Sequence, residues 1–94
     1  MRIIWSSKAE TDLYNIIGYI HEYSPLNAKK VLKSILEFSE TFANRPYKYQ
    51  KEEFFNDESV RRAVTYSYRI VYKIYKEDIK ILRVFNTRQQ PNKI

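Results

Sequence analysis

Length, composition and charge already exclude several classes of protein. The 94 residues, 44% apolar and 16% aromatic, predict one folded domain spanning residues 1–94 and not a disordered segment. With no cysteine and one histidine, the chain excludes disulfides, thiol catalysis and thiolate or His-rich metal sites, so we expect no metal and no cofactor. No apolar run is long enough to span a bilayer and the N-terminus does not resemble a signal peptide, which predicts a cytoplasmic protein with no membrane partner.

The net charge of +6 is concentrated in residues 60–88. This segment holds eight basic and two acidic residues, whereas the rest of the chain balances nine basic residues against nine acidic ones. Because the same segment has the pattern of β-strands, we predict a basic working surface. Its partner should be acidic, either nucleic acid or a negatively charged protein.

The N-terminal half predicts a strand and two helices. Residues 2–6 form a short run of β-forming residues. Ser7, with Glu10 at capping-box spacing, begins a helix with apolar residues at helical period. Gly18 lies off that apolar stripe and indicates a close approach to this helix. Ser-Pro at 24–25 ends the helix and begins a second, which Arg-Pro at 45–46 stops, so the two helices should form an antiparallel hairpin.

The C-terminal half predicts a loop and then three strands. Residues 44–59 lack periodicity and indicate a loop that contains at most a short strand. Strands at about 60–65, 68–76 and 79–85 are separated by two-residue gaps, which fit only hairpins. The order β-α-α-β-β-β predicts an α+β fold, with an antiparallel helical hairpin packed on one face of a mainly antiparallel four-stranded sheet.

The middle strand separates an apolar face from a basic one. Alternation assigns one face to the helices, with Tyr68, Ile70, Tyr72 and Ile74, and puts Arg69, Val71, Lys73 and Tyr75 on the other. Guanidinium groups bind phosphate or carboxylate bidentately, and a tyrosine can stack on a base. The alternative is a solvated strand face that discourages aggregation. The residues predicted to bind the acidic partner are Arg62, Arg69, Lys73, Tyr75, Arg83 and Arg88.

Other candidate catalytic or metal-binding residues have weaker support in the sequence. His21 is more typical of a solvated residue near a helix C-terminus than of a catalyst. The acidic cluster of Glu52, Glu53, Asp57 and Glu58 lacks metal-ligand spacing. If the chain is an enzyme, the chemistry that fits is RNA cleavage by positioned cations, which still needs a proton acceptor and a proton donor.

One combination of motifs runs along nearly the whole chain. It comprises W-S-x-x-A-x-x-D-L-x-x-I-x-x-Y-I from Trp5, S-P-x-x-A from Ser24, Arg62, Y-R-I-V-Y from Tyr68, I-x-I-L-x-V from Ile79 and T-R-Q-x-P from Thr87. This combination resembles the RelE/ParE toxin superfamily of type II toxin–antitoxin systems. The resemblance implies the β-α-α-β-β-β fold. It also implies a cognate antitoxin, a small, acidic, partly disordered protein that folds onto the toxin in a hetero-oligomer.

RelE-like members of the superfamily cleave mRNA in the ribosome, whereas ParE-like members inhibit DNA gyrase. If the catalytic residues of RelE-like members are transferred to the matching positions of this sequence, the cations of the site would be Arg62, Arg69 and Arg88. The match is incomplete, because Val60 replaces one lysine, the last arginine aligns with Gln89, and the terminal tyrosine falls beyond Ile94. The cationic half of such a site is therefore partly present and the proton-transfer half is missing.

This incomplete site implies a ParE-like toxin, a non-enzymatic growth inhibitor of DNA gyrase of the kind found in plasmid stabilization modules. Trp5, the Ser-Pro junction and the T-R-Q-Q-P tail also resemble ParE, although Pro46 is not followed by the glycine frequent in the family. Two alternatives stay open: a RelE-like ribosome-dependent mRNA endonuclease, and an inactive relative that only binds its antitoxin. On any of these readings, reversing the charge of Arg69 and Lys73 should weaken binding without unfolding the domain.

Overall fold

The computed structural model of the chain describes residues 1–53 and 55–87. The elements in chain order are β1 (Arg2–Trp5), α1 (Ser7–Tyr23), α2 (Pro25–Glu40), a 3₁₀ turn (Thr41–Ala43), β2 (Gln50–Lys51), β3 (Val60–Thr65), β4 (Tyr68–Ile74) and β5 (Asp78–Asn86). The strand order is β1-β5-β4-β3-β2; β1 runs parallel to β5, and the other neighbours are antiparallel. The predicted α+β fold is confirmed, with a fifth strand because the two-residue β2 pairs with β3.

Serine caps fix where both helices begin. Ser6, and not the predicted Ser7, caps α1, since its extended backbone lets its hydroxyl accept from the Ala9 N–H at 3.0 Å. The same hydroxyl donates to the Leu82 carbonyl at 3.0 Å, which ties the start of α1 to β5. At the second helix, Ser24 accepts from the Asn27 N–H at 3.2 Å, as the sequence predicts. In the described residues, no helix is both long and apolar enough to cross a membrane.

The main core lies between the helical hairpin and the sheet. The predicted inner face of β4 is confirmed, because Ile70, Tyr72 and Ile74 are buried there against residues of both helices. Tyr72 stacks on Phe42 with ring centroids 4.3 Å apart, and its hydroxyl donates to the Pro46 carbonyl at 2.7 Å. Burial raises the pKa of Tyr72 far above its usual range, so this phenol stays neutral and is a structural group.

Candidate functional site

Three of the predicted cations lie together on the face of the sheet that points away from the helices. Arg62 on β3 is in register with Val71 on β4, which places it diagonally between Arg69 and Lys73. Lys73 is in register with the exposed Lys80 on β5, which extends the positive surface towards the sheet's other edge. Alternation along the strands therefore brings together the residues that the sequence analysis assigned to one face.

This outer face is covered by the chain itself. Residues 52–59, which we call the strap and which are described except for residue 54, pass over it. Val60, Val71 and Phe85 form a buried apolar floor, and Phe55 of the strap packs against that floor. The sequence predicts an open basic face, whereas the structure shows a basic face with an apolar centre under the strap.

The strap brings carboxylates to each of the three cations. Asp57 Oδ2 lies 3.2 Å from Lys73 Nζ, and Glu53 Oε1 lies 3.6 Å from Arg62 Nη1. Hydrogen bonds from Ser59, followed by the contact with Lys73, lower the pKa of Asp57 to about 2. The acidic cluster of the sequence is thus an internal counter-charge for the basic face. Nowhere in residues 1–53 and 55–87 do three His, Cys, Asp or Glu side chains group to hold a metal ion.

Glu52 is the centre of this charge arrangement. It is fully buried, and one carboxylate oxygen lies 3.9 Å from Arg62 Nη1 while the other lies 3.9 Å from Arg69 Nη1. Two nitrogens of Arg69, Nε and Nη1, are buried and donate no hydrogen bond within the described residues. Arg69 is only 17% exposed, so the premise that it lies on an exposed strand face does not hold. Reversing its charge would set a second carboxylate beside buried Glu52, and we therefore expect this change to destabilise the domain. Lys73, with a third of its side chain exposed, is the better position for such a test.

Arg83 binds within the fold and does not join the other cations. The β4–β5 ladder is irregular at Val71 and Tyr72, whose partners are Arg83 and Ile81, so Leu82 is an extra residue in β5. The Arg83 guanidinium donates to Asp12 of α1 through Nε at 2.7 Å and Nη2 at 3.1 Å. This contact raises the pKa of Arg83. Asp12 also accepts from the Val84 N–H at 2.9 Å. This gives a partner to a backbone donor of β5 that lies beyond the end of β1.

The remaining predicted site residues lie at or beyond the ends of strands. Tyr75 follows β4, is nearly half exposed, and has Lys73 Nζ 5.3 Å from its ring centroid. It is therefore available for an aromatic contact next to the basic face. Arg88 lies outside the described residues.

A second candidate surface, which the sequence analysis missed, is an apolar groove on the helical hairpin. Its volume is about 750 Å³. The apolar and small residues that line it are Trp5, Leu13, Ile17, Gly18, Leu32 and Leu36, with Glu10, Tyr14 and His21 beside them. A Cβ on Gly18 would meet no atom within 4 Å, so this glycine faces open space and not the close approach that the sequence indicated. Leu13 and Ile17 lie on the apolar stripe of α1, and we had assigned that whole stripe to the core. In the structure both residues also line the groove.

The fold is that of a small α+β protein with a basic sheet face and an apolar groove, and its sequence matches one protein family. The family model described as the ParE toxin of the type II toxin–antitoxin system parDE matches residues 3–91. The chain belongs to this ParE toxin family. No curated protein matches it significantly.

Solved structures share the fold over most of the chain. A chain of the chromosomal ParDE toxin–antitoxin system of P. aeruginosa matches with a TM-score of 0.75 and 20% identity, covering 92% of this chain and 95% of that one. A chain of the RelBE2 toxin–antitoxin complex of Mycobacterium tuberculosis matches with a TM-score of 0.60 and 23% identity, covering 90% and 95%. At these identities the likeness shows the common fold alone.

Proposed function

We propose that the chain is a growth-inhibiting toxin that acts by binding DNA gyrase in the cytoplasm, and that a cognate antitoxin neutralises it. Membership of the ParE family supports this function, and one observation in the site carries it. Arg62 and Arg69, the cations that an RNase of this fold would use, each lie 3.9 Å from the buried carboxylate of Glu52. A fixed negative charge between two cations weakens the field that would stabilise a phosphorane, which favours inhibition by binding over RNA cleavage.

A RelE-like mRNA endonuclease is the second candidate, because one observation favours it. Arg62 and Arg69 come from different strands and approach the same carboxylate, so they lie close enough to act on one anionic group. In that case a substrate phosphate would take the place that Glu52 now holds between them. The proton acceptor and donor would have to come from other residues or from the ribosome.

The two functions are separated by measuring gyrase and mRNA with the same chain. Inhibition of supercoiling by purified gyrase, together with intact cellular mRNA in primer extension, is the expected result. Codon-linked cuts in mRNA that Arg62→Gln abolishes would instead establish the endonuclease. Binding of the antitoxin without either effect would identify an inactive relative. Lys30→Gln, an exposed change on α2, is the matched control for loss of one positive charge.

We assign the antitoxin contact to the apolar groove of the helical hairpin. The groove exposes Leu36 and Tyr14, which are 40% and 79% accessible, although both are apolar enough to gain from burial. On α2, Lys29 and Lys33 lie at helical spacing from Leu32 and Leu36, so positive charge flanks the apolar side chains. An acidic segment with apolar anchors, as expected of the antitoxin, complements both features.

A further inference from the structure

The strap combines two kinds of contact that a bound peptide would make. Its carboxylates meet the cations of the sheet at Asp57–Lys73 and Glu53–Arg62, and its Phe55 side chain packs on the apolar floor. The floor residues are almost completely buried: Val60 is 2% exposed, Val71 0% and Phe85 7%. An aromatic ring flanked by carboxylates is therefore the chemistry that this face already accepts.

The middle of the strap is held mainly by side chains. In its described part, the backbone bonds to the sheet near the two ends, where the Glu52 N–H donates to the Val60 carbonyl at 2.9 Å and the Ser59 carbonyl accepts from the Ile74 N–H at 2.9 Å. Between these ends Phe55 packs on the floor, and Glu53 and Asp57, whose side chains are 69% and 39% exposed, form ion pairs with the sheet. Glu58, 77% exposed, pairs with Lys51 and Arg61. The Asp57 and Glu58 carbonyls also accept from the Val60 N–H at 3.1 Å and from Arg61 Nε at 3.0 Å, close to the end of the strap. Exposed ion pairs contribute little to stability, so the middle of the strap is the weakly held part of this face.

We propose that the outer face of the sheet is a docking surface for an acidic peptide with an aromatic residue between its carboxylates, supplied by a partner protein, and that the strap occupies this surface until the peptide displaces it. The strap is then an intramolecular competitor. Both ends of the strap stay bonded to the sheet, so the middle can lift without unfolding β3 or β4. The identity of the toxin's target does not bear on this surface.

The charges explain why a displaced strap leaves an attractive surface. With the strap in place, the carboxylates of Glu52, Glu53 and Asp57 balance the charges of Arg62, Arg69 and Lys73. Lifting its middle withdraws Glu53 and Asp57, while Lys80 already extends the positive surface beyond the strap. Partner carboxylates would first meet Lys73 and Lys80 and then replace Asp57, which makes association sensitive to salt.

The apolar floor favours a peptide over nucleic acid. Phosphates would satisfy the cations, but sugars and base edges would then cover Val60 and Val71, which are aliphatic, and Phe85 is the one ring among the three floor residues on which a base could stack. A peptide carries an apolar ring and carboxylates on neighbouring residues, as the strap itself does. Nucleic-acid binding is accordingly the competing outcome of the test.

The test uses the full chain and a fluorescein-labelled peptide with the strap's own sequence, Glu-Glu-Phe-Phe-Asn-Asp-Glu-Ser. The variant Glu53→Gln/Asp57→Asn keeps the shape of the strap and removes two of its ion pairs, so it should bind the peptide about tenfold more tightly than wild type in fluorescence anisotropy. Adding Lys73→Gln to this variant should abolish the gain. Thermal unfolding of each variant verifies that it is folded.

Two control probes decide the chemistry. A peptide with serine in place of both phenylalanines and a peptide with amides in place of the carboxylates should each bind the strap variant several-fold more weakly. Equal binding of the labelled peptide by wild type and the strap variant would overturn the role of the strap. Tighter binding of a single-stranded oligonucleotide of equal charge than of the peptide would overturn the assignment of the partner as an acidic peptide.

Discussion

Replacing Asp12 with alanine should destabilise the domain far more than removing an ordinary surface carboxylate. Asp12 accepts two hydrogen bonds from Arg83 and one from the Val84 N–H, and its side chain is only 16% exposed. Charge-assisted hydrogen bonds contribute about 1.5–3 kcal/mol each, and partial exposure lets water replace some of that. We expect a loss of about 3 kcal/mol, which for a domain of this size lowers Tm by roughly 15 °C.

The comparison that isolates the pair is a double-mutant cycle of Asp12→Ala with Arg83→Gln, measured by urea unfolding. Its matched control is Arg2 with Asp78, which has the same chemistry but one hydrogen bond of 3.0 Å and an arginine that is 79% exposed. The expected coupling is about 1.5 kcal/mol or more for Asp12–Arg83 and under about 0.5 kcal/mol for Arg2–Asp78. Equal coupling in the two cycles would refute the assignment of Arg83 to the fold and return it to the candidate binding residues.

Four further predictions concern other elements. Gly18→Ala should raise the free energy of unfolding by about 0.5–1 kcal/mol, because Gly18 is helical and its Cβ meets no atom within 4 Å. Gly18→Trp should instead weaken binding of the antitoxin in a pull-down, and unchanged binding would show that the groove is not its site. Tyr66, in the β3–β4 turn, has φ 54°, so Tyr66→Asn should relieve backbone strain and gain up to about 1 kcal/mol in thermal unfolding. A loss of stability would contradict this and show that the hydrogen bond with Ser34 outweighs the strain. The pKa of Asp57 is lowered from 3.8 to about 2, so its contribution to stability is present above pH 3.8 and is lost as the pH falls through 2. The difference in urea midpoint between wild type and Asp57→Asn should follow that course, and a difference that persists below pH 2 would contradict it.

The parts of the fold that local patterns encode were predictable. The alternation of β4 assigned Ile70, Tyr72 and Ile74 to the core, and the Ser24 cap followed by Pro25 located the junction between the helices. The first cap was misplaced by one residue because two serines are adjacent and Glu10 lies at capping-box spacing from Ser7. What decides between them is the hydroxyl of Ser6 reaching Leu82, which is 76 residues away in sequence.

The candidate site was less predictable because its charges pair across the fold. Arg62, Arg69 and Lys73 were assigned to one face by strand period, but nothing in an aperiodic loop shows that Glu52 and Asp57 return to that face. A one-residue irregularity in β5 likewise sends Arg83 to α1 and leaves no trace in the hydrophobic pattern. The excess positive charge of residues 60–88 therefore predicted the basic sheet face correctly. It did not show that much of this face is covered by carboxylates from the strap.

The parallel pairing of β1 with β5 determines when, during synthesis, the sheet can be completed. Arg2 pairs in register with Asp78 and Trp5 with Ile81, so β1 finds its place only beside β5. During synthesis the N-terminal strand and the start of α1 are made first and have to wait for the final hairpin. Contacts of such long sequence separation slow folding, and a chain that stops before β5 lacks the strand that closes the sheet. A translation product interrupted before β5 would thus be an unfinished fold.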